Sequence, residues 1–212
     1  MGAKERREHN KARIRENILN IERELFVQDG YDGVSMRRVA EKIEYSPTAI
    51  YLHFADKEEL FRELCYRDFE RLVDVFQNSA ISTDPIERLR QIGRAYIEFG
   101  IRNPNHYRFM FMVTHPRRVA DQCDHSVHDN PGKGAYAFLK WAVQQAIDAR
   151  CFGEELRDAE LISETLWAWA HGLTSLELVK GGNASAEWRP IENRIEAMWD
   201  LALRGLLPRP NC

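Results

Sequence analysis

Apolar residues recur three and four positions apart through most of the chain. Strand-like alternation is missing from the long stretches rich in Leu, Ala, Glu and Arg, so the pattern predicts an all-α protein. Ile14, Ile18, Ile21 and Leu25, widened by Phe26, mark a first helix that Gly30 stops. Ser35 is a fitting N-cap for a second helix with Met36, Val39, Ala40 and Ile43 on its inner face. Ser46 can cap a third, with Pro47 at the first helical position and Ala49, Ile50 and Phe54 turned inward. So short a helix is marginal alone in water. Packing must hold it, which leaves Thr48, Tyr51 and His53 to face something else.

A fourth helix starts after Asp56 and runs to about Ser79, too long for the small N-terminal core alone. It reads as a connector that buries its start in that core and its end in a second one. Asp84-Pro85 opens a fifth helix carrying Ile86, Leu89, Ile92, Tyr96 and Phe99, and Asn103-Pro104 repeats the device before Tyr107, Phe109, Met110, Phe111 and Met112. So many aromatics and methionines mark a core or the wall of a cavity. After a polar stretch from Thr114 to Gly134, read as a loop with one short helix, a helix to Arg150 carries Tyr136, Leu139, Trp141, Val143 and Ile147, and Cys151-Phe152-Gly153 ends it. From Asp158 to Lys180 two apolar stripes run side by side: Ile162, Leu166, Trp169, Leu173 and Leu176, and beside them Trp167, His171, Thr174 and Leu178. A helix apolar on two faces is buried on two sides. Gly181-Gly182 closes it, and a last helix follows Pro190 with Ile191, Ile195, Met198, Trp199 and Ala202.

Composition narrows the picture. With 212 residues the chain can build a real core, and no window approaches the roughly 18 uncharged apolar residues of a membrane span. A cytoplasmic protein without membrane contact is expected. Cys65, Cys123, Cys151 and Cys212 lack CxxC spacing and read as free thiols. Cys123, His125 and His128 lie among Asp121, Asp124 and Asp129, but a loop seldom supplies the fixed geometry a metal needs, so no metal and no cofactor is expected. A net charge of −3 excludes a protein that coats DNA by bulk charge, and any DNA binding must be local. The first fifteen residues do carry six basic groups (Lys4, Arg6, Arg7, Lys11, Arg13, Arg15) against Glu5 and Glu8. They read as a flexible arm over 1–10 able to add phosphate contacts, or as a solvated tail.

In helix-turn-helix readers the second helix enters the major groove while the first crosses the backbone. Arg37, Tyr51, His53 and Lys57 are the candidates for phosphate oxygens, with Thr48 nearest the base edges and Arg38, Tyr45, Ser46 and Pro47 completing the face. A helical hairpin with a solvated polar face is the plainer alternative. Val39-Ala40, Ser46, Ile50-Tyr51, His53-Phe54, Lys57 and Leu60-Phe61 decide between them by resemblance: residues 11 to 61 are similar to the N-terminal domain of the tetracycline-repressor (TetR) family. That family's turn usually has Gly and then a small aliphatic residue, whereas Glu44 and Tyr45 stand here. A left-handed turn at a non-glycine costs about 1 kcal/mol, so the departure bears on base preference rather than on fold.

Leu166-Trp167-Ala168-Trp169-Ala170-His171-Gly172-Leu173 resembles the Trp-His-Gly segment of one C-terminal subgroup of that family, which implies an interface helix that also lines a ligand cavity. The expected organisation is a helix-turn-helix domain over 11–56, a helical effector-binding and dimerisation domain over 57–207, and a tail over 208–212. The last two helices, with Leu166, Trp169, Leu173, Leu176, Ile195 and Trp199, would pair with a second copy as a two-fold bundle. Phe99, Tyr107, Met110, Phe111, Trp141, Trp167 and His171 are the candidate walls for a small apolar effector. The function this implies is a ligand-responsive repressor that releases a pseudo-palindromic operator in double-stranded DNA. A constitutive DNA-binding dimer is the first alternative. A small helical hydrolase using His171, Ser175 and Glu177 is the second, and it lacks an orienting third group, an oxyanion donor and a Gly-x-Ser-x-Gly elbow.

Overall fold

The computed structural model describes residues 2–114, 130–180 and 188–207, and every regular element among them is an α-helix. In chain order these are α1 (Ala3–Asp29), α2 (Met36–Lys42), α3 (Pro47–Tyr51), α4 (Lys57–Ser79), α5 (Pro85–Arg102), α6 (Pro104–Met112), α7 (Ala135–Asp148), α8 (Ala159–Lys180) and α9 (Ile191–Leu206). Side chains punctuate them as the sequence suggests. Ser35 accepts from the Arg38 amide at 3.3 Å, Ser46 from Ala49 at 3.2 Å, Asp56 from Glu59 at 2.7 Å and Asp84 from Ile86 at 2.8 Å. Gly30 ends α1 at φ 70° and ψ 175°, a conformation open to glycine, with its N–H on the Phe26 carbonyl.

Three expectations change. The stretch 1–10 is no loose arm, because α1 continues back to Ala3; Lys, Arg and Glu are good helix formers, and the Gly2 amide is held by Glu5 at 2.7 Å. Asn103 serves the end of α5 rather than the start of α6, its side-chain amide donating to the Phe99 carbonyl at 3.0 Å. And α7 closes before Cys151: Arg150 takes the left-handed conformation (φ 55°), with the Cys151 amide on Ala146 O and the Arg150 amide on Ile147 O, both at 2.9 Å. The possible ligands Cys123, His125 and His128, and the stop at Gly181-Gly182, lie outside the described residues. Cys65 and Cys151 are free thiols.

The chain divides into two compact units, Met1–Asp68 with Asn105–His125, and Phe69–Pro104 with Ser126–Cys212. The division falls inside α4, not at residue 56, and α6 goes with the first unit from Asn105 onward. In that unit Ile18, Leu19 and Phe26 of α1, Val39 and Ala40 of α2, Ile50, Phe54, and Leu60, Phe61 and Leu64 of α4 are buried together. Phe26 meets Phe61 edge-on at 4.8 Å, and Phe61 lies 5.1 Å from Phe109. Buried charge accompanies these rings. Arg23 forks onto Asp68 with two bonds of 2.7 Å, and His106 Nδ1 lies 2.9 Å from the same carboxylate. Glu22, 0% exposed, has both carboxylate oxygens without a hydrogen-bond partner among the described residues, and burial pushes its carboxyl well above the usual range against the opposing pull of Lys57 and Arg23.

The second unit packs α5 against α7 and α8, α7 against α8, and α9 against α8. Gly93 matters here because a Cβ at that position would lie 2.5 Å from Trp199 Cζ2, so the missing side chain admits the α9 indole to the α5 surface. The buried face of α8 is Ile162, Ser163, Leu166, Ala170 and Thr174. Ser163 and Thr174 donate to their own helix at Ala159 O and Ala170 O, 2.6 and 2.8 Å away, so neither hydroxyl is stranded.

This corrects the expected dimer surface. Leu166, Ile195 and Trp199 are buried within their own chain; Trp169 and Leu176 are exposed, and Leu173 is half-buried. Spacing shows that two stripes exist, whereas the buried face takes Ile162 and Leu166 from one, Thr174 from the other, and Ser163 and Ala170 from neither.

Candidate functional site

Helices α2 and α3 are joined by a turn that the sequence makes in an uncommon way. Glu44 takes φ 60°, its N–H on Glu41 O at 3.2 Å and the Tyr45 N–H on Ala40 O at 2.9 Å, the paired closure usually built on glycine. Helix α3 follows at once, held by the Ser46 cap at one end and, at the other, by the amides of His53 and Phe54 on the Ile50 carbonyl at 2.8 and 3.0 Å. Ile50 and Phe54 are buried, which turns Tyr45, Ser46, Pro47, Thr48, Tyr51 and Leu52 outward.

These six side chains therefore share an exposed side of the turn and α3, and the cations around it differ in how far they are engaged. Arg37 is exposed and, among the described residues, pairs with its helix neighbour Glu41 at 2.9 Å. Arg38 is tied to the Gly33 carbonyl at 3.0 Å and to Asp29 at 2.9 Å. Lys57 directs its ammonium back into the protein, donating to Tyr31 O and Val34 O, both at 3.0 Å, while it lies 4.0 Å over the Tyr31 ring. It staples the loop before α2 and keeps one N–H for an outside acceptor. His53 is half-buried, its Nδ1 without a partner among the described residues; burial, and then Lys11 and Arg15, lower its pKa, so the ring is neutral at pH 7.

In the second unit a polar chain joins α5 to α8. Trp167 Nε1 donates to the Tyr96 hydroxyl at 3.2 Å, and that hydroxyl lies 3.0 Å from His171 Nδ1. Burial lowers the His171 pKa. A hydroxyl has two lone pairs, so Tyr96 can accept from the indole and either donate to Nδ1 or accept from it, according to the imidazole tautomer. Trp167 also meets Tyr136 at 5.7 Å, and Tyr136 donates to Glu160 at 2.6 Å; burial and that bond push the phenol above its usual range. Of the seven expected cavity residues, Phe99, Trp141, Trp167 and His171 belong to this unit, with Trp141 exposed under the Arg88 guanidinium at 5.1 Å. Tyr107, Met110 and Phe111 belong to the first unit, where Tyr107 and Met110 are buried. The residues of the hydrolase alternative are engaged elsewhere, Ser175 on Gly172 O at 3.2 Å and Glu177 with Arg194.

Tyr96 and Arg15 carry more of these sites than their sequence positions suggest. Tyr96 reads only as one more apolar stripe residue, and its partners are more than seventy positions away. Arg15 sits among the basic residues of the N-terminus yet donates to the His53 carbonyl.

Two family models match the chain: "Bacterial regulatory proteins, tetR family" over residues 18–64, and "Tetracyclin repressor-like, C-terminal domain" over residues 89–206. The chain belongs to the TetR family. Among curated relatives, the HTH-type regulator YobS of Bacillus subtilis is 27% identical over 108 residues, 50% of this chain and 56% of that protein. The repressor AcnR of Corynebacterium diphtheriae is 37% identical over 67 residues, 32% of this chain and 35% of its own length. The activator FasR of Mycolicibacterium smegmatis is 32% identical over 110 residues, half of each chain. The matches thus span about half or less of these relatives. Solved structures extend the likeness of fold across both TetR segments. A protein from Rhodococcus sp. RHA1 has a TM-score of 0.72 at 24% identity, covering 91% of this chain and 95% of that one. FadR of Bacillus halodurans has 0.70 at 16%, covering 89% and 94%. TetR proteins are regulators rather than enzymes, and among the described residues no helix is long and apolar enough to cross a membrane.

Proposed function

We propose that this TetR chain is a homodimeric, effector-responsive repressor of the cytoplasm that binds a pseudo-palindromic operator in double-stranded DNA. The outward face of α2 and α3 carries this reading: Arg37, Thr48 and Tyr51 are exposed on two helices whose inner sides are buried. Arg37, Tyr51, His53 and the remaining N–H of Lys57 engage phosphates, Tyr45, Ser46 and Pro47 border the groove, and Thr48 meets base edges. Arg38, spent on Gly33 and Asp29, supports the start of α2 instead.

Dimerisation uses the outer side of α8, where Leu161, Trp169, Leu176 and Val179 are exposed and Leu173 half-exposed. A self-complementary apolar face suits a two-fold pair, which would carry two reading heads to major grooves about 34–36 Å apart. The effector is small, neutral and apolar or aromatic. Trp167 and His171, with Phe99 and Trp141, supply its surroundings in the second unit, and Tyr96 joins them through its hydroxyl. Repression is favoured by the AcnR relatives, which are named repressors. Continuous α4 carries the effector's influence toward the reading head. A coupling of about 1–3 kcal/mol, usual for allostery, makes operator binding roughly 5–150-fold weaker when the effector is bound.

The test starts from a random-sequence duplex pool. The protein should enrich a two-fold site, bind it as a dimer by light scattering, and lose affinity for every sequence when Tyr51→Phe or Arg37→Gln removes a phosphate contact. A monomer that enriches no site would overturn the reading.

A further inference from the structure

We propose that Arg15 is a positioning residue for DNA recognition, holding the exit of α3 in place without itself touching DNA. This rests on the helix-turn-helix reading above.

Two nitrogens and one face of its guanidinium are engaged within the first unit. One nitrogen donates to the His53 carbonyl at 2.7 Å, a second lies 3.4 Å from the Glu63 carboxylate, and the carbon sits 4.1 Å over the Phe54 ring. The side chain is only 25% exposed. Glu63 is itself held by Arg67, whose other nitrogen pairs with Glu16 of α1, so Arg15 belongs to a lattice of charges between α1 and α4. With these bonds and its stacked face committed inside the unit, the first task of Arg15 is to hold the exit of α3.

What Arg15 grips is the point where α3 most needs help. The helix has five residues, less than two turns, and its C-terminal end is closed by amides returning to the Ile50 carbonyl. Residues 53 and 54 then carry the chain toward α4. Arg15 fixes the carbonyl of the first and the ring of the second, so the direction in which Tyr51 and His53 leave the surface depends on it. Its charge also helps to keep the His53 ring neutral, in company with Lys11. A planar fork that bonds and stacks at once is work that Lys cannot copy.

The two roles separate in binding experiments on the full chain. Arg15→Lys and Arg15→Met are compared with the unmutated protein on a duplex selected from a random pool and on a scrambled duplex, across a salt series. As a positioning residue, Arg15→Lys should lose about tenfold on the selected duplex while keeping its scrambled-duplex affinity. Arg15→Met should lose as much or more with an unchanged salt slope. In both, the His53 ring resonances should shift, and in Arg15→Met its titration should move to higher pH. A direct phosphate contact predicts the reverse: a near-normal Arg15→Lys, and in Arg15→Met a salt slope reduced by about 1 on both duplexes. That result overturns the proposal and leaves the helix-turn-helix reading standing. If the unmutated protein enriches no duplex, both fall. If both variants lose their helical signal at the binding temperature, Arg15 maintains the whole unit and the proposal also fails.

Discussion

Helices α3 and α8 are opposites. The first is five residues long, nearly all polar or aromatic on its outer side, and every part of it is held by something else: a serine cap, a left-handed turn and a guanidinium from α1. The second is 22 residues long, needs no such help to be a helix, and leaves large apolar side chains outside. A short helix whose position is fixed from outside can present a few donors accurately, whereas a long one with surplus apolar surface asks to be covered. What each exposes is the surface left after its inner face is satisfied, and the two leftovers call for different partners, an anion on one side and another apolar face on the other.

The sharpest way to break this contrast is to compare two tryptophans thirty positions apart. Trp199 is 4% exposed and Trp169 is 41% exposed. Trp199→Ala should destabilise the second unit by about 3–5 kcal/mol, seen as a large drop in thermal midpoint. Trp169→Glu should leave the melt of dilute protein nearly unchanged and turn dimers into monomers by light scattering. Equal loss of stability in both would mean that the outer face of α8 is also core.

A smaller effect concerns Glu22, buried beside the turn that precedes α2. Its folded pKa is raised, so its contribution favours folding fully below the unfolded carboxyl pKa near 4.5 and is withdrawn as pH rises toward the folded value. Glu22→Gln keeps the shape without the ionisation. It should stabilise the first unit by about 1–3 kcal/mol at neutral pH, and the gain should shrink on acidification. Urea midpoints at several pH values would check this, and a gain independent of pH would point away from ionisation.

The smallest effect is at the turn itself. Glu44→Gly should relieve roughly 1 kcal/mol of left-handed strain, offset in part by the entropy of glycine in the unfolded chain. The thermal midpoint would rise slightly, with operator preference unchanged unless the Glu44 side chain itself faces the bases. Selection from a random duplex pool distinguishes those outcomes.

Much of this was legible before any coordinates. Local signals act over three or four residues, so Ser35, Ser46, Pro47, Asp56, Asp84 and Gly30 announce where helices start and stop, and the structure places them there. The outward side of α3 follows from the same local rules, because its inner side is fixed by Ile50 and Phe54.

Contacts between residues far apart in the chain were decided only in three dimensions. The inward side of α8 mixes the two stripes, Ile162 and Leu166 from one with Thr174 from the other and Ser163 and Ala170 between them, because the packed neighbours and not the helix's own period choose the face. Lys57 and Arg15 look alike as basic residues near a DNA-reading element, yet Lys57 staples a loop 23 and 26 positions away and Arg15 grips a carbonyl 38 positions on. Charge and spacing by themselves determined that cations would gather around α3. Tertiary structure determined which of them remain free, because a side chain's partner is chosen by the folded surroundings and the sequence holds no periodic trace of it.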